Sequence, residues 1–174
     1  EDLDVQAMKI ASTDTNNIPL LRHIARKGRP LLLSTAMSTM EEVTEAVQAV
    51  RDEGLEDIAV FQCTGNYPSK LEHSNLRVML TYRDQLNCLV GYSDHTEDMI
   101  NPIAATAMGA NIYEKHITVD KTLPGPDHRM ALDPNELKQT VKIIRDTELA
   151  LGHPEKQVLE SEKENRVKLR KSII

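Results

Sequence analysis

The sequence predicts an α/β protein built on a parallel sheet and, within that class, part of a (β/α)8 TIM barrel. Three observations carry this. Short apolar runs begin near residues 5, 30, 57, 88 and 111, a spacing of roughly 25 residues, the size of one βα unit. Runs such as Leu31-Leu32-Leu33 are apolar on both faces, as a sheet covered by helices requires. Every run ends in polar or reactive residues: Lys9 and Ser12, Ser34 and Thr35, Gln62 to Tyr67, Ser93 to His95, and Glu114 to His116. A barrel gathers its active site from the C-terminal ends of many strands, whereas an open doubly wound sheet uses mainly its switch point. No Gly-x-Gly-x-x-Gly follows the first run, which weakens the open dinucleotide-binding alternative further. Five units cannot close a barrel of eight. The chain is therefore expected to supply about the last five βα units, with about three more preceding them.

The elements follow in order. Val5–Ile10 reads as the first strand, and Ile18–Lys27 as a helix ending at Gly28. Pro30–Leu33 is the second strand. The next helix opens at Ser38-Thr39-Met40-Glu41, where Ser38 and Glu41 have capping-box spacing. Val43, Ala46, Val47 and Val50 recur at helical spacing, and Gly54 stands where a helix stops. Asp57–Cys63 is the third strand, followed by a polar loop over Thr64–Ser74 and a helix over Asn75–Leu86. Cys88–Tyr92 is the fourth strand, with a helix from about Asp98 to Met108 stopped by Gly109. Asn111–His116 is the fifth. After the loop Ile117–Leu132, a last helix has Asp133 as cap, Pro134 in its first turn, Glu136 at its third position and Gly152 past its end. Leu31, Leu33, Val60 and Leu89 are expected to line the barrel interior.

With 174 residues, 40% of them hydrophobic, the chain can bury the core of one domain. Residues 1–152 are expected to form the barrel portion. The segment Glu155–Lys171 is too charged to build a core, so 153–174 reads as a solvated helix or linker toward a further domain. No run of eighteen apolar residues exists, which excludes a helical membrane span. The formal charge of −6 argues against a nucleic-acid partner but leaves room for a local basic pocket that holds a small anion. Cys63 and Cys88 lack Cys-x-x-Cys spacing, which disfavours a disulfide or thiolate zinc site and points to a reducing cytoplasm.

The densest chemistry lies in Gly91-Tyr92-Ser93-Asp94-His95-Thr96 and, farther on, Glu114-Lys115-His116. Two neutral imidazoles at neighbouring strand ends, with carboxylates to orient them, suit a divalent metal; a pair of ordinary hydrogen-bonded histidines is the alternative. Lys9 sits inside an apolar strand, and lysine is almost never fully buried without a partner, so a phosphate or carboxylate at the barrel mouth is its natural counterpart. Ser34 and Ser93 could bind a ligand or only satisfy backbone groups. Asp14 could act as a base or cap the following helix. Strand alternation puts Glu114 on the side of His116, where it could orient a ligand or bind metal-bound water, and Asp94 opposite His95, as a structural acceptor. His23, His73 and His153 read as surface residues, and His128 stays open.

Six stretches in order carry a resemblance: Lys9–Asn17, Leu33–Met37, Cys63-Thr64 with Tyr67-Pro68, Gly91–Thr96, Glu114–His116, and Gly125-Pro126-Asp127-His128. Together they resemble the sialic acid synthases, over nearly the whole chain up to Leu169-Arg170-Lys171-Ser172-Ile173, where that family joins its barrel to a small antifreeze-like domain. The resemblance implies a (β/α)8 barrel that condenses phosphoenolpyruvate with an N-acylated hexosamine such as N-acetylmannosamine. The products would be a sialic acid or related nonulosonate, and phosphate. It implies a divalent cation, Mn²⁺ first and Mg²⁺ or Co²⁺ otherwise, on His95 and His116. Lys9, Ser12, Ser34 and Ser93 match positions that hold phosphoenolpyruvate, Asp14 matches an acidic proton relay, and Tyr67 and Asp127 match positions near the sugar. Where some members carry a phosphoenolpyruvate-binding Asn after Cys-Thr, this chain has Gly65, with Asn66 one place later as the candidate replacement. A cytoplasmic homodimer is the expected assembly, and the 174 residues alone are expected to be inactive. The alternatives are a non-catalytic half-barrel that binds sugars or anions, and another enolpyruvate-condensing synthase.

Overall fold

The computed structural model describes residues 4–171, so Ser172 and Ile173 of the resemblance lie outside the described residues. Five parallel strands run β1 (Met8–Ile10), β2 (Leu31–Ser34), β3 (Ile58–Cys63), β4 (Leu89–Asp94) and β5 (Ile112–Lys115), and their order in the sheet is their order in the chain. The helices are α1 (Ile18–Ala25), α2 (Met40–Arg51), α3 (Val78–Leu86), α4 (Ile100–Ala107), α5 (Pro134–Leu151) and α6 (Lys163–Leu169). An open doubly wound sheet reverses its strand order at a switch point. Here the order never reverses, and the sheet curls into half of a (β/α)8 barrel.

Register decides which residues face where. Parallel neighbours at one level point the same way. Ile10, Leu33, Val60 and Val90 form one level, and they pack with Leu31, Val43, Val47, Val50 and Met79 in the core between sheet and helices. Leu31, Leu33 and Val60 therefore face the helices rather than the barrel interior, contrary to the sequence expectation. Leu89 does stand on the concave side, level with Lys9, Leu32 and Ala59. A run of three leucines does not say which of them points inward; pairing does.

Several boundaries move for identifiable reasons. β1 begins at Met8, and Val5 is exposed. β2 and β4 run on through Ser34 and Asp94, because those polar side chains find partners on either face of the sheet. α3 begins at Val78 rather than Asn75, because Asn75 has φ 44, outside the helical region. The cap of α2 is Thr39, not Ser38. The Thr39 side chain accepts from the Glu42 N–H, and the Glu42 carboxylate accepts from the Thr39 N–H, one residue later than the spacing predicted. The Asp133–Glu136 capping box at α5 forms as expected. Beyond Gly152 every described residue is exposed, α6 included. No helix among the described residues is long and apolar enough to cross a membrane.

Candidate active site

At the C-terminal mouth of the strands lies a cavity of about 360 Å³ on the concave side. Lys9, Ser12 and Ser34 border it from the first two units, Cys63 and Tyr67 from the third, and Ser93, His95, Glu114 and His116 from the last two. The Lys9 ammonium donates to Ser34 Oγ at 2.8 Å and lies 3.6 Å from the Glu114 carboxylate. Ser93 Oγ donates to the same carboxylate oxygen at 2.8 Å. One chain of polar contacts thus spans the concave face from β1 to β5. Ser34 spends its hydroxyl on Lys9, not on backbone. Ser12 Oγ accepts from the Ala36 N–H at 2.9 Å, which ties the loop after β1 to the loop after β2.

The two histidines stand just above this chain. His95 is buried, and its Nδ1 faces the Thr64 carbonyl oxygen at 2.7 Å. A carbonyl accepts only, so Nδ1 carries the proton and the Nε2 lone pair is left for a ligand. Burial pushes the His95 pKa down, which favours the neutral imidazole. The Tyr67 ring lies against it with centroids 4.1 Å apart, and the His116 ring centroid is 5.3 Å away. His116 is more open, with Nδ1 3.8 Å from Asp127. A neutral imidazole oriented by a carbonyl is the usual arrangement of a metal-ligating histidine. Among the described residues no group of three or more His, Cys, Asp and Glu gathers with it. The pair fits a metal whose remaining positions are filled from solution, and does not fit a closed structural zinc site.

Other assigned residues stand further out. Asp14 ends a 3-10 turn over Ser12–Asp14 and lies outside the cavity lining. The cap of α1 is Asn17, whose side chain accepts from the Leu20 N–H, so Asp14 is not a helix cap. Asn66 borders a neighbouring cavity with Thr35, Met37 and Gln62, separate from the Lys9 contacts. Asp127 reaches the site only through His116. His23, His73 and His153 are exposed, while His128 pairs with Thr118 Oγ1 at 2.7 Å.

Two features escaped sequence reasoning. Cys63 lies level with Ser93 and points into the cavity, its sulfur 3.8 Å from His95 Nδ1; burial pushes its pKa up, so it stays a thiol. Lys115 also borders the cavity, but its ammonium pairs with Asp94 on the helix side of the sheet. Strand register would have exposed both, but it cannot be read from one chain. Asp94 behaves as the structural acceptor that alternation predicted.

A model of the NeuB family matches residues 1–156. The chain is 42% identical over 175 residues to the N,N'-diacetyllegionaminic acid synthase of Legionella pneumophila, covering 98% of this chain and 49% of that protein. It is 40% identical over 174 residues to mouse N-acetylneuraminate-9-phosphate synthase, covering 99% and 48%. The crystal structure of N-acetylneuraminic acid synthetase from Leptospira borgpetersenii superposes with a TM-score of 0.86 at 33% identity, covering 97% of this chain and 60% of that one. The chain spans about half the length of the curated relatives it matches.

Proposed function

The chain belongs to the NeuB family, and from that premise we propose that it supplies the phosphoenolpyruvate and metal half of a nonulosonate synthase. The reaction is condensation of phosphoenolpyruvate with an N-acylated hexosamine, giving a sialic acid or a close relative, and phosphate. The observation that carries the reading is one concave face holding a tethered ammonium, three hydroxyls and two adjacent imidazoles. In this reading Lys9, Ser12, Ser34 and Ser93 bind the phosphate and carboxylate of the enolpyruvate. Glu114 holds Lys9 and Ser93 in place from the far side. This fixes C3 within attack distance of the sugar aldehyde, which converts a bimolecular encounter into a positioned one.

His95 and His116 hold a divalent cation, Mn²⁺ first, which when bound supplies Lewis-acid stabilisation at the aldehyde oxygen. Tyr67, stacked on His95, and Asp127, beside His116, flank the position of the sugar. As the C3–C1 bond forms, C2 becomes electron-poor and takes up the oxygen of a water molecule. Asp14, just past Ser12, receives the proton of that water, and phosphate then leaves C2. The same reading places the protein in the cytoplasm, where Cys63 and Cys88 stay free, as a homodimer whose exposed segment after Gly152 is a connector.

Calorimetry with Mn²⁺ tests the assignment. In a chain that contains the complete barrel, His95→Ala and His116→Ala are each expected to abolish binding, and unchanged affinity in both variants would overturn the metal site.

A further inference from the structure

We propose that Lys115 and Asp94, on the helix side of the sheet, are a positioning clamp that sets the spacing of His95 and His116; the inference rests on the metal reading above. The last ladder pair between β4 and β5 is Asp94 with Lys115. Each histidine stands one residue past it, beyond the last register pair of the two strands. The His95 carbonyl accepts from the Ser69 N–H and the His116 carbonyl from the Leu132 N–H, so each is tied to a different loop and neither to the other.

Lys115 adds a side-chain tie between the strands at this end of the ladder. Its ammonium lies 3.3 Å from the Asp94 carboxylate and also donates to the Thr96 carbonyl. Those two residues bracket His95, and Lys115 itself precedes His116. The side chain of Lys115 is 6% exposed and that of Asp94 is fully buried. Asp94 is held in turn by Thr96 N–H and Oγ1 at 2.8 Å, by Asn101 of α4 at 3.3 Å and by the Tyr113 hydroxyl. A buried ion pair is seldom more stabilising than a well-packed apolar pair, so stability alone is a poor reason for one here. Orientation is a better one. Ligating groups must be held within about 0.5 Å of their working geometry by what lies behind them.

The test compares wild-type protein with Lys115→Met and with the paired variant Asp94→Asn/Lys115→Met. The paired variant leaves no unpaired buried charge and keeps an acceptor for Thr96. Calorimetry with Mn²⁺ reads affinity, and NMR of ¹⁵N-histidine-labelled protein without metal reads the His95 tautomer and the His95–His116 ring contacts. A folded paired variant that binds Mn²⁺ about 10–100-fold more weakly, with altered ring contacts, is the expected result. Wild-type affinity in that folded variant would overturn the clamp. So would failure of both variants to fold, since the pair would then be only a structural support. If wild-type protein binds no Mn²⁺, the metal reading fails separately. The ring contacts then decide: altered in the paired variant they uphold the clamp, and unaltered they overturn it.

Discussion

Adding one methyl group at Gly91 tests whether the concave face is packed as described. Gly91 lies between Phe61 of β3 and Ile112 of β5. A Cβ there would stand 2.7 Å from two Phe61 ring carbons and 3.0 Å from the Ile112 carbonyl oxygen. Phe61 is fully buried, so its ring cannot swing into solvent, and the carbonyl belongs to the sheet. Forcing an extra methyl into such a site costs about 1–3 kcal/mol. For a domain of this size that is a fall of roughly 2–12 °C in Tm. The ring also lies 5.7 Å from the Lys9 ammonium, so moving it disturbs the residues proposed to hold phosphoenolpyruvate. Gly54→Ala is the control: φ is +86 with no atom within 4 Å, so it costs about 1–2 kcal/mol of backbone strain far from the site. Calorimetric melting should show both variants destabilised, and phosphoenolpyruvate titration should show only Gly91→Ala impaired. A Gly91→Ala melting temperature within about 1 °C of wild type would refute the packing argument.

Further outcomes follow from the same contacts. Thr39→Ala should cost about 1 kcal/mol by denaturant titration and Ser38→Ala less than about 0.5, which separates the observed cap from the neighbouring candidate. In an enzyme with the complete barrel, Asp14→Asn should leave substrate affinity intact and lower turnover by about 10²–10⁴, measured as nonulosonate formed per folded enzyme; unchanged turnover would remove Asp14 from the mechanism. Because burial lowers the His95 pKa, the unfolded chain takes up a proton at that residue at a higher pH than the folded protein does. Stability from this group is therefore complete above about pH 6.5 and falls as pH drops toward the folded pKa. Metal-free His95→Gln should lose less stability than wild type between pH 7.5 and 5, and equal losses would contradict the burial argument.

The alternation of apolar runs and helical periods was enough to fix five parallel βα units, because a run of that length with polar ends has few other ways to bury itself. Helix ends marked by Asp133 and Gly152 were legible for the same local reason: a cap needs only its own few neighbours. The site was legible as a set of residue types at strand ends, since Lys9, Ser12, Ser34, Tyr67, Ser93, His95 and His116 do converge on one cavity. What the chain order could not show was pairing. Which leucines face inward, why Gly91 must lack a side chain, and that Cys63 joins the site while Asn66 does not, all depend on register between strands about 30 residues apart. The cap of α2 fell on Thr39 because the backbone there, not residue type, selects among adjacent hydroxyls. Lys115 and Asp94 show the division most clearly. Side by side with the histidines in sequence, they turn to the opposite face, because successive side chains of a strand alternate and only the folded sheet brings the two strands together.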